Sequence, residues 1–237
     1  MSVFTTVPGA AVPGPGRRRG SDYAELSRLV KRAGLLRRRY GYYAARIALN
    51  VALLAAGVVA LVLLGSSWWQ MVIAVLFAAV FTQFAYVGHD AGHRQIFASR
   101  WANDLVGYIH SAVTGISYRW WVDKHNRHHA NPNHEDEDPD IDIPALAFTV
   151  EQAGAKRGLT RWVAKYQAFL FFPLLQFEAI ILRIESVKAV LRREVSRPGL
   201  EATLLAGHIV GYLATVFWIL SPVKAVLFIA EQPRYTP

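Results

Sequence analysis

The chain has 237 residues, 53% of them hydrophobic and 18% charged, where a soluble domain is typically about 45–50% hydrophobic. It contains no cysteine, which excludes disulfides, zinc ribbons, Fe–S clusters and thiolate-ligated haem, and leaves histidine, carboxylate, amide and water as metal ligands. The formal charge is +9, but the cations flank apolar segments instead of alternating with aromatics, which favours a membrane surface as partner and argues against nucleic acid.

Residues 1–20 read as a disordered tail, because MSVFTTVPGAAVPGPG is rich in Pro, Gly and small residues, and no apolar core of a secretory signal follows. Residues 21–46 carry Arg28, Lys31, Arg32, Arg37, Arg38, Arg39 and Arg46, interleaved with Leu26, Leu29, Val30, Leu35 and Leu36. Two readings fit that pattern: an amphipathic helix on a membrane surface, and a solvated basic helix. Residues 44–65 and 69–88 each approach the ~20 apolar residues needed to cross a bilayer. The connection between them, Ser66-Ser67-Trp68-Trp69, allows only an antiparallel hairpin and holds no Lys or Arg. The positive-inside rule then puts the N-terminus, and the returning end at His89, on the cytoplasmic side.

Residues 101–121 are apolar but interrupted by Asn103, Asp104, Gly107, His110 and Gly115, which predicts a helix at the membrane surface. Residues 122–162 are largely polar. Residues 163–186 include Pro173, Gln176 and Glu178 in an aromatic-rich run and are expected to be interfacial, since a midplane carboxylate costs a few kcal/mol. Residues 187–198 are basic. Residues 200–220 form a third span, Ser221-Pro222 a turn, and residues 223–230 a fourth apolar segment of about half a crossing. The membrane domain therefore runs over 21–230, and 231–237 read as a divergent tail.

Five histidines fall in two clusters, His89-Asp90-Ala91-Gly92-His93 and His125-Asn126-Arg127-His128-His129. Neutral imidazole is the commonest metal-ligating side chain. Residues three or four apart share a helix face, so His89 and His93 are placed to converge, and His125 to pair with both His128 and His129. His110 and His208 stand alone on apolar faces and read as satisfied core residues. The acidic run His134-Glu135-Asp136-Glu137-Asp138-Pro139-Asp140 reads as a structural loop salt-bridged to nearby arginines, with hard-cation binding or an extension of the histidine metal site as the alternative. The aromatics Trp120, Trp121, Phe169, Phe171 and Phe172 suit interfacial anchoring, or the lining of a tunnel for an apolar ligand.

These boxes, HDAGH and HNRHH, resemble those of the membrane fatty acid desaturases. The flanks match as well: Trp120-Trp121 precede the second box, and Asn131-Pro132 and Asp138-Pro139-Asp140-Ile141 follow it. The resemblance runs from the first span to the turn at Pro222 and is closest to bacterial acyl-lipid or acyl-CoA desaturases of the front-end-like type. It implies an all-α, membrane-integral bundle of four spans in transmembrane hairpins, with interfacial helices. It implies two irons held almost wholly by histidine on the cytoplasmic face, in a bacterial cell membrane. The activity implied is O2-dependent removal of two hydrogens from an acyl chain, with electrons from a ferredoxin or cytochrome b5-type partner. An unactivated methylene has no acidic proton and no leaving group, so iron and O2 must supply the oxidant. Carried over residue by residue, His89 and His93 are iron ligands of the first box, and His125, His128 and His129 of the second. Asp90 either orients a ligating imidazole from behind or stabilises a helix N-terminus by its charge.

The resemblance also sets an expectation that fails. A third box, QxxHH or HxxHH, should follow the fourth span, yet no His-His pair follows His129 and only His208 lies downstream of His134. The sequence therefore reads as a member truncated before the third box, with an iron content below two and doubtful activity. A histidine-box hydroxylase or ketolase, and a non-catalytic metal-binding membrane protein, are the competing readings.

Overall fold

The computed structural model describes residues 21–175 and 177–231, so the expected tails at 1–20 and, apart from Glu231, at 231–237 lie outside it. Every regular element among the described residues is helical. Helix α1, Asp22–Arg32, belongs to a separate unit that ends at Arg38. The Ser21 side chain caps it by accepting from Ala24 N at 3.4 Å. Asp22 and Glu25 sit in its first turn and Lys31 and Arg32 in its last, which complements the helix dipole.

In the second unit, three helices are long and apolar enough to cross a membrane: α2 (Tyr40–Leu64), α3 (Gln70–Gly92) and α10 (Pro198–Ile219). Helices α2 and α3 form the expected hairpin, closed by Gly65 at a φ of +52°. The C-terminal carbonyls of α2 lack helical partners. Gln70, wholly buried at the start of α3, donates its Nε2 to Leu61 O at 2.8 Å and to Gly65 O at 2.7 Å. A Cβ on residue 57 would stand 2.4 Å from Phe77 Cε1, so glycine there allows the two helices to close up. Phe77 also joins Leu61, Ala74, Val216, Leu220, Ala225 and Phe228 in a core shared with α10 and α11 (Pro222–Glu231). The two turns meet at that end, where Ser221 N donates to Ser66 Oγ at 3.0 Å.

Helix α3 runs four residues past the expected span and carries the first box in its last turn. The expected element at 101–121 is two helices, α4 (Arg100–Thr114) and α5 (Tyr118–Ala130). Gly115, left-handed at a φ of +72°, ends α4, and the Ser117 side chain caps α5 by accepting from Trp120 N at 3.3 Å. Short helices α6 (Val150–Ala155) and α7 (Gly158–Lys165) cover the polar stretch. Helices α8 (Gln167–Leu175) and α9 (Glu178–Leu191) meet at 63°. Each is too short to cross a bilayer alone, and only the bent pair together has the length and apolarity of a span.

Gly57→Val is expected to overpack the α2–α3 contact and to cost about 1–3 kcal/mol. Thermal unfolding in detergent would show it as a lowered midpoint.

Candidate metal centre

The site is built where the end of α3 meets α5. The α3 terminus is a Schellman turn: Arg94, left-handed at a φ of +57°, donates its N–H to Ala91 O at 2.9 Å, and Gln95 donates to Asp90 O at 3.0 Å. The buried Asn103 side chain fixes the following corner, accepting from Phe97 N at 3.1 Å and donating to Phe97 O at 2.8 Å and Ser99 O at 2.7 Å. Helix α4 then packs back along α3, with the His110 ring against Gly88, where a Cβ would come within 2.5 Å of it.

Helix α5 is fixed at its first turn. Glu201, on α10 and fully buried, accepts a short hydrogen bond from Ser117 Oγ and one from Arg119 N at 3.2 Å. Ser186 Oγ on α9 accepts from Ser117 N at 3.0 Å. A carboxylate at a helix N-terminus also meets the positive end of the helix dipole.

Held in this way, α3 and α5 bring together His89, His93, His125 and His129, with one ring nitrogen of each within 4.8 Å of the others. The Nε2 atom of His125 lies 3.0 Å from those of His93 and His129. Two ligands at right angles on a metal with bonds of about 2.1 Å, the usual imidazole–zinc length, lie about 3.0 Å apart, so these side chains fit a bound metal ion. Burial and the neighbouring imidazoles push His125 down to about 4 and hold His93 below the ordinary histidine range. Both therefore present neutral rings, the form that ligates. Trp121 lies flat on His125, centroids 4.5 Å apart and planes at 17°, and meets His89 edge-on at 5.7 Å.

The fifth histidine goes elsewhere. His128 turns its Nδ1 to the buried Asp138, 3.0 Å from each carboxylate oxygen, and the two form a second possible metal-binding set with Asp140. The expected pairing of His125 with both neighbours thus holds for His129 alone. At 100° per residue His129 returns to the face of His125, while His128 lies 60° to the other side, toward the 131–140 loop. Burial alone would raise the Asp138 carboxyl, but N–H donors at Asn133 and Asp140, with the His128 ring, outweigh it and hold it low. The acidic run forms a loop, the cation it pairs with is Lys124, on Asp140, and no arginine among the described residues joins it.

Asp90 sits in the last turn of α3, which rules out the N-terminal charge role. Its Oδ1 lies 3.4 Å from His89 Nδ1, and its Oδ2 accepts from Tyr43 OH at 2.9 Å. His110 and His208 stay outside both sets; His208 Nδ1 lies 3.2 Å from Ala112 O. Sequence reasoning missed Tyr43, Gly92 and Glu201. It assigned Trp121 to interfacial anchoring or a tunnel wall, whereas the indole lies on His125, one helical turn further on.

Two outcomes are expected. His125→Ala removes the nitrogen touching two others and should weaken ferrous or zinc binding by more than the about 10–100-fold typical of losing a residue behind a ligand. Isothermal titration would measure this, with Asp138→Asn expected inside that range. Glu201→Ala strands the donors at the start of α5, which costs about 1–3 kcal/mol, and should lower the unfolding midpoint and the metal content together. Glu201→Gln should retain part of both.

The fatty acid desaturase family model matches residues 66–230. A Delta(8)-fatty-acid desaturase of Helianthus annuus is 30% identical over 228 residues, covering 90% of this chain and 47% of that protein. An acyl-lipid (9-3)-desaturase of Physcomitrium patens is 35% identical over 169 residues, covering 66% and 31%. An sn-1 oleoyl-lipid 12-desaturase of Anabaena variabilis is 37% identical over 86 residues, covering 32% and 25%. The chain thus spans half or less of the length of these curated relatives, and no solved structure matches it. The relatives are mostly eukaryotic, which gives a bacterial host no support. With three helices fit to cross a bilayer and a family match over most of its length, this membrane protein belongs to the fatty acid desaturase family.

Proposed function

We propose that this chain supplies the metal-binding core of an O2-dependent fatty acyl desaturase. The observation that carries the reading is the meeting of four histidines from the two boxes at one point. The overall reaction balances as –CH2–CH2– + O2 + 2 e⁻ + 2 H⁺ → –CH=CH– + 2 H2O. A ferredoxin or cytochrome b5-type donor supplies the electrons. Relatives named for Delta(8), Delta(6), (9-3) and 12 positions all act on fatty acyl or acyl-lipid chains by name, so an acyl-lipid or acyl-CoA is the substrate class.

Iron, where bound, would be held by His89, His93, His125 and His129, with His128 beside them, and with O2 it supplies an oxidant strong enough for an unactivated methylene. The chain's own residues set the geometry. Trp121 fixes the plane of His125. Tyr43 and Asp90 stand behind His89. Asp138 holds His128 through Nδ1 and leaves Nε2 as its ligating nitrogen. The cations before α2 and at 188–197, against the Lys- and Arg-free 65–69 turn, support a cytoplasmic N-terminus and histidine face.

Expression of the chain in a yeast host, followed by lipid mass spectrometry, tests the reading. The expected products are acyl chains lighter by two hydrogens, absent with His125→Ala. Chains that gain oxygen would identify a hydroxylase instead, and iron uptake without any new lipid would identify a non-catalytic metal protein.

A further inference from the structure

The basic segment ahead of the first span has no part in the histidine site. At 100° per residue, α1 places Tyr23, Leu26, Leu29 and Val30 on one side, and Arg28, Lys31 and Arg32 on the other. Tyr23, Leu26 and Leu29 are 79%, 59% and 54% exposed. Beyond Gly34, left-handed at a φ of +71°, Leu35 and Leu36 are exposed again, and Arg37 and Arg38 follow. Among the described residues, no ion pair or side-chain hydrogen bond engages Arg28, Lys31, Arg32, Arg37 or Arg38. A tyrosine and four leucines exposed beside five cations that have no partner among the described residues make an apolar and basic surface suited to a membrane boundary. The sequence then runs directly into the span that begins at Tyr40, which ties the segment to the level of the lipid headgroups. Four to eight cations next to a span are the usual means of holding acidic lipid.

We propose that residues 22–38 dock on acidic phospholipid. Tyr23, Leu26, Leu29, Leu35 and Leu36 enter the headgroup boundary, and Arg28, Lys31, Arg32, Arg37 and Arg38 pair with headgroup phosphates and carboxylates. This does not rest on the desaturase reading. An acidic protein such as the electron donor would match the cations, but nothing ties it beside them as the span ties the bilayer.

Because the chain contains no cysteine, Leu29→Cys gives a single spin-label site in the full chain. The labelled protein is placed in nanodiscs of phosphatidylcholine alone, or of phosphatidylcholine with phosphatidylserine. Collision with a water-soluble nickel chelate and with oxygen then reports where the label lies. In the phosphatidylserine discs, nickel accessibility should fall about threefold at ~0.05 M salt and recover at ~1 M, where the screening length shrinks to about 3 Å. Replacing the five cations by glutamine should remove the difference. The salt titration keeps every charge in place, so it decides the matter even where that variant fails to insert. Equal accessibility in the two discs, or protection that appears only when an acidic ferredoxin is added, overturns the proposal.

Discussion

The histidine face depends on how closely the end of α3 approaches α5, and that approach is set at Gly92. A Cβ there would lie 2.9 Å from Trp121 Cζ3 and 3.4 Å from Val122 Cγ2. Without it, the indole lies against the helix end and flat on His125. Interiors packed as densely as crystals transmit a shift of one methyl group. A displacement of α5 at Trp121 would therefore carry His125 away from His93, although neither histidine had changed.

Hydrophobic burial cannot hold α5 at that distance. The helix is strongly polar, and Tyr118 is its one buried residue. Its position comes from its first turn, where Glu201 from α10 and Ser186 from α9 take the N–H and hydroxyl donors of residues 117 and 119. Burying a carboxylate is costly. The two donors and the positive helix end offset that cost here, which makes Glu201 a specific fastener rather than a general source of stability. The Arg119 guanidinium extends the tie to α4, donating to Asp104 at 2.6 Å and Tyr108 at 3.1 Å. The preceding helix α4 and the distant helices α9 and α10 thus meet at the start of the helix that carries the second box.

The spans and the boxes were legible in the sequence because their signals are local: about 20 apolar residues for a crossing, and four-residue spacing for a shared face. The fasteners were not. Glu201 reads as a stray charge at the head of an apolar run, since its partner Ser117 is 84 residues away. Gly92 reads as a spacer inside HDAGH until Trp121 is seen to occupy the room it leaves. Gln70 reads as the polar edge of a span, not as the cap of the helix before it. The pairing of His128 with His125 was permitted by spacing but decided by the loop, because Asp138 is held by the backbone N–H groups of Asn133 and Asp140 and stands ready for the ring beside it. The break at Gly115 was visible as a glycine, but its effect, splitting one expected helix in two, depended on Ser117 supplying the next cap.

The imidazole group itself explains why this arrangement suits a metal and not a proton. A ring nitrogen carries either one hydrogen or one lone pair. The Nε2 of His125 nonetheless has two nitrogen neighbours at 3.0 Å, so a single proton cannot serve both contacts. A neutral His125 with its hydrogen on Nε2 answers one contact and leaves the other, and charging the ring does not help, since burial and the rings of His89, His129 and His93 oppose it and push the group down to about 4. A cation placed among the nitrogens accepts all their lone pairs at once and turns mutual crowding into shared coordination. Binding at such a site is linked to folding, because the unfolded chain offers no assembled set of rings. The ties at Gly92 and Glu201 therefore act on the metal and on the fold through the same displacement of one helix.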